Sequence, residues 1–382
     1  MLNFPISPAE FRSAYFERAP FLCKSALPAH DFSWRKLDEI LDCIEPDERG
    51  VQLFRHGLVP QSQYAREAME FGRPRRRLDH ARFYEQLRSG ATLVLNRFED
   101  HSTLAQRLCA EVARYASLQA TANTYVSFGG TGTFGRHWDT HDVFAIQLLG
   151  RKRWQLFEPT FPLPLSHQTS EAAPSQASSR VAMDVVLEPG DMLYVPRGWW
   201  HLVEPFNAGS CHLSVGTYAA TVRDYLMWVC SQFLSQQLPA RRAFPPAADD
   251  RAALADMLHQ LRDVALDAGQ WRRFAAEIEM RERHHGTASL ALHAGQTPLT
   301  GAARLQWTMS YTPVVEGRTL LVNGMSIPLD PGALEIVAVL RSGAALTFDA
   351  LCERINTLPR DVVGASVINL ARHELIAIYL DG

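Results

Sequence analysis

The stretch Gly135-Arg136-His137-Trp138-Asp139-Thr140-His141-Asp142, read together with the later Trp199-Trp200-His201, predicts the fold and the site of this chain. Side chains two residues apart in a strand point to one side, so His137 and Asp139 can both enter a barrel and reach one ion. A jelly roll brings chain-distant strands together, which lets His201 complete the set. Two histidines and one carboxylate are the ligands that hold non-haem Fe(II) on one face.

A second ligand set stays open, because His141 continues the same alternation. His137, Asp139 and His141 from one strand would suit zinc. Three ligands from one strand lie nearly in a row, whereas a metal prefers ligands around it, so we favour the set with His201. His141 is then expected to face the substrate or to support a ligand. His212 is expected to be an interior histidine with satisfied hydrogen bonds.

The region around these motifs has the pattern of short strands separated by turns. Gly150-Arg151 and Glu188-Pro189-Gly190-Asp191 are typical turn sequences. Many short antiparallel strands indicate a sandwich or a jelly-roll barrel. Strands are predicted at residues 124–128, 143–149, 153–157, 185–187, 192–195, 201–205 and 211–218.

Lys152 is the candidate cation of this barrel. An oxygenase with this ligand set also needs a positive charge for the far carboxylate of a 2-oxo acid, and a lysine inside an apolar barrel is costly unless it meets an anion. Arg151 and Arg153 flank it and should face outward together. The alternative is that all three residues form a solvent-exposed hairpin.

The flanking regions predict a mixed α+β chain in four parts. Residues 1–90 form a helical lead-in, with helix starts at Ser7 and Ser33, and residues 91–220 form the double-stranded β-helix (jelly-roll or cupin) core. Residues 221–295 are helical, and the stripe Leu226, Val229 and Phe233 packs either in the core or against a second subunit. Residues 296–382 have the order of a winged helix: a strand pair, three short helices and a closing strand.

Composition limits the classes of function. The chain has 382 residues, 47% of them hydrophobic, and a formal net charge of −3. No apolar run is long enough to span a bilayer and no signal-peptide core is visible, so a cytoplasmic location is expected.

The six cysteines are scattered without a C-x-x-C pair, which indicates buried thiols. Near-neutral charge argues against sequence-specific nucleic-acid binding.

Arginines at positions 73, 75, 76 and 77 form a local basic cluster. We expect a solvated loop or a helix start here. The alternative is a surface that steers an acidic partner, such as a ribonucleoprotein.

Several of these motifs together resemble one family. The chain resembles JmjC-type 2-oxoglutarate oxygenases, specifically the cupin-like ribosomal-protein hydroxylases, at Asn123-Thr124-Tyr125, Gly135 to Asp139, Asp142-Val143-Phe144, Gln147-Leu148, Gly150 to Trp154 and Glu188 to His201. The lead-in Arg18-Ala19-Pro20-Phe21-Leu22, the helices after the barrel and the winged-helix-like end follow the same order. The likeness therefore covers nearly the whole chain.

The resemblance implies an activity and the residues that carry it. It implies Fe(II) held by His137, Asp139 and His201, and 2-oxoglutarate and O2 as cosubstrates. The distal carboxylate of 2-oxoglutarate would lie at Lys152, with hydrogen bonds from Asn123, Tyr125 or Ser214. It also implies a homodimer formed through the post-barrel helices.

The implied reaction is hydroxylation of an amino-acid side chain in a protein, most simply a ribosomal protein. A hydroxylase that tailors a peptide natural product or a free amino acid uses the same chemistry. A rival of another class is a non-catalytic cupin that binds metal or only holds a partner.

Overall fold

The computed structural model describes residues 2–46, 49–129, 132–170, 178–206, 208–243, 251–281, 288–309, 314–322, 325–341 and 345–380. The chain divides into two compact units, Met1–Ala219 and Ala220–Gly382. In the described part of the chain, no helix is long and apolar enough to cross a membrane. All six cysteines are free thiols; Cys43 is exposed, and the others are buried or half-buried.

Two antiparallel sheets form the centre of the first unit. Its strands are β1 (Phe21–Cys23), β2 (Val51–Phe54), β3 (Ala65–Glu70), β4 (Arg73–Leu78), β5 (Thr92–Leu95), β6 (Gln119–Ser127), β7 (Asp142–Leu149), β8 (Lys152–Phe157), β9 (Val181–Leu187), β10 (Met192–Val195), β11 (Trp200–Pro205) and β12 (Ser210–Tyr218). The large sheet has the order β1-β10-β7-β12-β6-β5-β2, and the small sheet has the order β11-β8-β9. The predicted double-stranded β-helix is confirmed.

Strand β7 shows why the apolar pattern folds in this way. All its residues from Asp142 to Leu148 are buried, so both of its faces are covered. Val143 and Ala145 pack with Trp154 and Leu156 of the small sheet, whereas Phe144 belongs to the core on the other side. Each buried side chain of this size stabilises the fold by about 1.5–3 kcal/mol. The layer between the sheets is therefore a packed core.

The first ninety residues are not the helical lead-in that the sequence predicted. The helices of this unit are α1 (Pro8–Glu10), α2 (Trp34–Cys43), α3 (His80–Arg88) and α4 (Thr103–Ala116). Ser7 and Ser33 cap α1 and α2 as predicted. However, β1 pairs with the distant β10, and β2 pairs with β5. Local periodicity missed these strands because their hydrogen-bond partners are remote in sequence.

The arginine cluster lies on a strand, not in a loop or at a helix start. Strands β3 and β4 form a hairpin, and Phe71 and Gly72 at its tip both have positive φ, of 51° and 76°. Two such residues suit the two-residue turn that matches strand twist. Arg75 pairs with Glu45 at 3.1 Å and Arg77 with Glu70 at 2.6 Å. These acidic partners offset much of the cluster's charge, which favours a solvated surface.

The second unit contains helices and two small sheets. Its elements are α5 (Val222–Leu234), α6 (Arg251–Ala265), α7 (Ala268–Arg281), α8 (Leu290–His293), β13 (Arg304–Trp307), β14 (Val314–Glu316), β15 (Thr319–Val322), β16 (Met325–Pro328), α9 (Pro331–Leu340), β17 (Leu346–Thr347), α10 (Phe348–Arg354), α11 (Arg360–Arg372) and β18 (Ile376–Tyr379). From residue 314 the elements follow the predicted winged-helix order. Val229 packs with Tyr225 and Phe274, whereas Leu226 is exposed. The predicted stripe therefore does not lie on a single buried face.

Candidate functional site

His137 and His201 meet through their backbones. The His137 N–H donates to the His201 carbonyl oxygen at 3.1 Å, and the His201 N–H donates to the His137 carbonyl oxygen at 2.7 Å. His137 makes only this isolated bridge, and regular strand β7 begins later, at Asp142. The regular strand expected across His137 and Asp139 is therefore not formed, although both side chains reach the same place as predicted. A short irregular segment, held against the start of β11, brings these residues to one place.

The donor atoms of His137, Asp139 and His201 all lie within 4.8 Å of one another. His201 Nε2 is 3.6 Å from Asp139 Oδ2. The Nδ1 atoms of His137 and His201 face the carbonyl oxygens of Gly135 and Trp199, at 3.2 and 3.1 Å. Carbonyl oxygens only accept, so each Nδ1 carries the ring proton and each Nε2 keeps a free lone pair. This donor set suits a metal ion with three protein ligands on one face.

The protonation states also suit metal binding. Burial, reinforced by the neighbouring His137, lowers the pKa of His201 to about 4, which leaves this imidazole neutral near neutral pH. Burial alone would raise the pKa of the Asp139 carboxyl, but the nearby His201 and His137 outweigh it and the pKa is lowered. The cluster therefore offers a neutral His201 imidazole beside the Asp139 carboxylate.

His141 lies outside this cluster. Its ring stacks on Tyr218 with centroids 5.0 Å apart. It also rests on Gly216, where an added Cβ would come within 2.6 Å of the ring. Among the described residues, the three ligand atoms that converge come from His137, Asp139 and His201. The alternative ligand set from a single strand is thus not the one that the structure assembles.

A buried network fixes the loop that leads to His201. The Asp142 carboxylate accepts hydrogen bonds from the Arg197 backbone N–H at 2.8 Å and from the Tyr194 hydroxyl at 3.0 Å. The Gly198 N–H donates to the Asp139 carbonyl at 2.9 Å. Burial raises the pKa of Asp142 to about 6. The loop before one histidine is therefore tied to the segment that carries the other two ligands.

A cavity of about 260 Å³ opens beside the cluster. It is lined by Thr92, Tyr125, Ser127, Thr133, Phe134, Gly135, His137, Asp139, Val143, Lys152, Trp154, Val195, His201, Val203, Pro205, His212 and Ser214. Tyr125 and Ser214, both predicted site residues, are among them. Asn123, the third predicted residue, is not among these lining residues, and its side-chain oxygen accepts a hydrogen bond from the Arg97 N–H at 3.1 Å.

Lys152 is inside the barrel and is only 3% exposed. Its Nζ donates to the Tyr125 carbonyl oxygen at 3.3 Å and to His212 Nδ1 at 3.0 Å. Burial lowers its pKa to about 8. Arg151 and Arg153 are on the outside, where Arg151 covers the Phe206 ring and Arg153 pairs with Asp184. The exposed-hairpin alternative is therefore wrong for Lys152, and the outward direction of its neighbours is confirmed.

The sequence did not identify His212 and Trp154 as site residues. His212 is buried and hydrogen-bonded, as expected of an interior histidine, but it also lines the cavity. Trp154 lines the cavity too, and its buried Nε1 has no hydrogen-bond partner among the described residues. A signal was available, because His212 and Ser214 are two apart on β12, as Lys152 and Trp154 are on β8. Alternation places each pair on one side.

A double-stranded β-helix with a two-histidine, one-carboxylate cluster and a buried lysine in one cavity defines the class: a cupin-type metal-binding barrel. Comparison with known proteins adds to this description. Residues 94–225 match the JmjC domain. The chain is also similar to proteins named ribosomal oxygenases.

Two sequence relatives illustrate the likeness. Ribosomal oxygenase 1 of Gallus gallus is 30% identical over 241 residues, which cover 62% of this chain and 38% of that protein. Ribosomal oxygenase 2 of Rattus norvegicus is 38% identical over 109 residues, which cover 28% of this chain and 23% of that protein. This chain thus spans well under half the length of these relatives.

The fold is shared along the whole chain with the ribosomal oxygenase YcfD of Escherichia coli. Its structure with cobalt and 2-oxoglutarate has a TM-score of 0.60 and 17% identity, covering 100% of both chains. Its structure with cobalt and succinic acid has a TM-score of 0.62 at the same identity and coverage. Similarity at this identity establishes the fold.

Proposed function

We propose that this protein is an Fe(II)- and 2-oxoglutarate-dependent hydroxylase that adds a hydroxyl to an amino-acid side chain of a protein, most simply a ribosomal protein. One observation carries the proposal: the converging atoms of His137, Asp139 and His201 share a cavity with the buried Lys152. When bound, the iron and 2-oxoglutarate supply the oxidising chemistry that uses O2. The protein supplies ligands, orientation and exclusion of water.

Contacts within the protein hold the metal ligands in position. Hydrogen bonds from Nδ1 fix both imidazoles so that Nε2 is free, and the backbone bridge between His137 and His201 fixes their separation. Three protein ligands would leave room on a bound iron ion for 2-oxoglutarate and O2. The anchored loop at Arg197 limits movement of His201.

Lys152 gives the cavity a buried positive charge without a negative partner among the described residues. In the described part of the chain, Lys152 Nζ contacts a carbonyl oxygen and an imidazole nitrogen but no carboxylate. A buried charge is costly without a counter-charge, so the far carboxylate of 2-oxoglutarate would satisfy it. The Tyr125 and Ser214 hydroxyls line the same cavity and would donate to that carboxylate. Val143, Val195 and Val203 form apolar walls that keep water out.

The substrate class is supported by the names of the relatives, which are ribosomal oxygenases. The test is incubation of purified ribosomal proteins with the Fe(II)-loaded enzyme, 2-oxoglutarate and O2, followed by intact-mass analysis. We expect one ribosomal protein to gain a single oxygen atom and succinate to be released with it. The Asp139→Ala variant, which lacks one ligand, is the matched control and should give neither product.

The same experiment separates the alternatives. If ribosomal proteins stay unmodified while a peptide or free amino acid gains oxygen, the enzyme is a tailoring hydroxylase. If no substrate gives succinate although metal binds, the chain is a non-catalytic cupin. Either result would refute the proposed substrate, and the second would refute the proposed reaction.

We also propose a homodimer formed through residues 221–295. Apolar side chains of α5 and α6 are exposed in a single chain: Val222 by 75%, Met227 by 58% and Leu258 by 55%. Burial of such a patch against a second copy follows from the hydrophobic effect. Light scattering should give the dimer mass, and Met227→Glu should give monomers. A monomer mass for the unmodified protein would refute the dimer.

The remaining predictions extend this proposal. The boundaries 1–90, 91–220, 221–295 and 296–382 are proposed as functional divisions of the chain. A cytoplasmic location is proposed, because ribosomal proteins are synthesised there. The winged-helix-like part is proposed to bind no specific nucleic-acid sequence, and a binding assay with random DNA and RNA pools would test this.

A further inference from the structure

His212 determines how the Lys152 ammonium is held. Nζ approaches His212 Nδ1 at 3.0 Å. An ammonium only donates hydrogen bonds, so Nδ1 must be the unprotonated, accepting nitrogen of the ring. The ring proton is then on Nε2, which makes His212 a neutral imidazole of one defined tautomer.

The surroundings of the ring keep it in this orientation. Its plane stacks on Tyr125, with centroids 5.1 Å apart and an angle of 7°. Trp154 packs against it nearly at right angles, with centroids 5.4 Å apart. His212 is 4% exposed, on a strand paired with neighbours on both sides. A ring packed in this way cannot rotate without moving the barrel core.

The ring also stays neutral under ordinary conditions. Burial, together with the charge of Lys152, lowers the pKa of His212 well below that of an ordinary histidine. A doubly protonated ring would point an N–H at the ammonium and lose the hydrogen bond. The two residues therefore form a pair of one cation and one neutral acceptor.

The charge of the acceptor matters for what the cavity can bind. A carboxylate next to Lys152 would hold the ammonium equally well, but it would neutralise the charge and repel an incoming carboxylate. A neutral imidazole fixes Nζ and leaves its full charge for a ligand. We propose that His212 is a positioning residue that orients the Lys152 ammonium without neutralising it, and so selects a 2-oxo acid with a far carboxylate. This inference rests on the proposed function.

Three substitutions at one position separate geometry from charge. Asparagine places a neutral acceptor oxygen where Nδ1 stands, aspartate has nearly the same shape but a negative charge, and leucine has no acceptor. Titration calorimetry of 2-oxoglutarate into the Mn(II)-loaded protein at neutral pH measures the affinity. We expect His212→Asn to bind within about threefold of the unmodified protein and His212→Leu about tenfold more weakly, because one hydrogen bond to a charged group is lost.

His212→Asp should bind about a hundredfold more weakly, since the ammonium is already paired and the added charge repels the ligand. The control ligand is 2-oxobutanoate, which chelates the metal through the same atoms but has no far carboxylate. Its affinity should differ little between the Asn and Asp variants. Mn(II) binding and melting temperature, measured on each variant, show whether the barrel is intact.

The outcomes distinguish this inference from the proposed function. If the unmodified protein binds no 2-oxoglutarate, the proposed function fails and the inference fails with it. If the unmodified protein binds tightly but the Asn and Asp variants bind equally well, only the inference is overturned. Should the variants unfold, nitrogen-15 NMR of the unmodified protein can show which ring nitrogen of His212 carries the proton. A proton on Nε2 supports the inference, and a proton on Nδ1 overturns it.

Discussion

Replacing Lys152 with alanine should remove most of the affinity for 2-oxoglutarate while leaving metal binding intact. Lys152 is 3% exposed, and the described residues around Nζ provide only neutral acceptors, so it would be the positive partner of the bound carboxylate. Breaking a buried pair by removing one partner costs about 3–5 kcal/mol. At about 1.4 kcal/mol per tenfold, the dissociation constant should rise by roughly a hundredfold to a few thousandfold.

Calorimetric titration of 2-oxoglutarate into metal-loaded variants gives this number directly. Lys152→Arg should lose less, because the charge is kept although the guanidinium is bulkier. Arg151→Ala and Arg153→Ala are the matched controls on the same strand. Arg153 pairs with Asp184 outside the barrel, where both side chains are well exposed, so its loss should leave the affinity unchanged. Equal affinities for Lys152→Ala and the unmodified protein would refute the cosubstrate assignment.

Three further predictions concern other parts of the barrel. Asp139→Ala should abolish Fe(II) binding, measured by metal analysis, whereas His141→Ala should keep it; the reverse result would contradict the ligand set. Affinity for 2-oxoglutarate should be constant below about pH 8 and fall about tenfold per unit above it, because burial lowers the pKa of Lys152 to about 8 and the ligand needs the protonated form; an affinity that stays constant above pH 8 would contradict the lowered pKa of Lys152. Gly150→Ala should lower the unfolding free energy by more than about 1 kcal/mol in urea titration, because φ is 62° and a Cβ would lie 2.1 Å from the Gly209 carbonyl oxygen; unaltered stability would mean that this turn can shift.

Much of the barrel could be predicted because its signals are local. From β6 to β12, polar and apolar residues alternate or apolar residues follow one another, and turns with Gly or Pro separate these segments. The structure has a strand at each predicted position. The capping serines Ser7 and Ser33 were recognisable for the same reason, since a cap depends on residues three positions away. The strands β1 and β2 were missed because each is completed by a remote partner.

The candidate ligands themselves were visible in the sequence, but the reason they meet was not. His137, Asp139 and His201 were identified by residue type and by the turns around them. No regular strand carries His137 and Asp139, and His137 reaches His201 through an isolated backbone bridge. His212 was placed in the interior but not in the site.

Residue types and local patterns predict the metal ligands, the strands and turns, and a lysine next to a turn. They leave open whether Lys152 is buried, and they do not show that its ammonium faces a neutral imidazole sixty residues away in sequence. The physical reason is the separation in sequence over which each interaction acts. Periodicity and capping act over a few residues, whereas burial, protonation and the tautomer of His212 depend on which distant strands pack together.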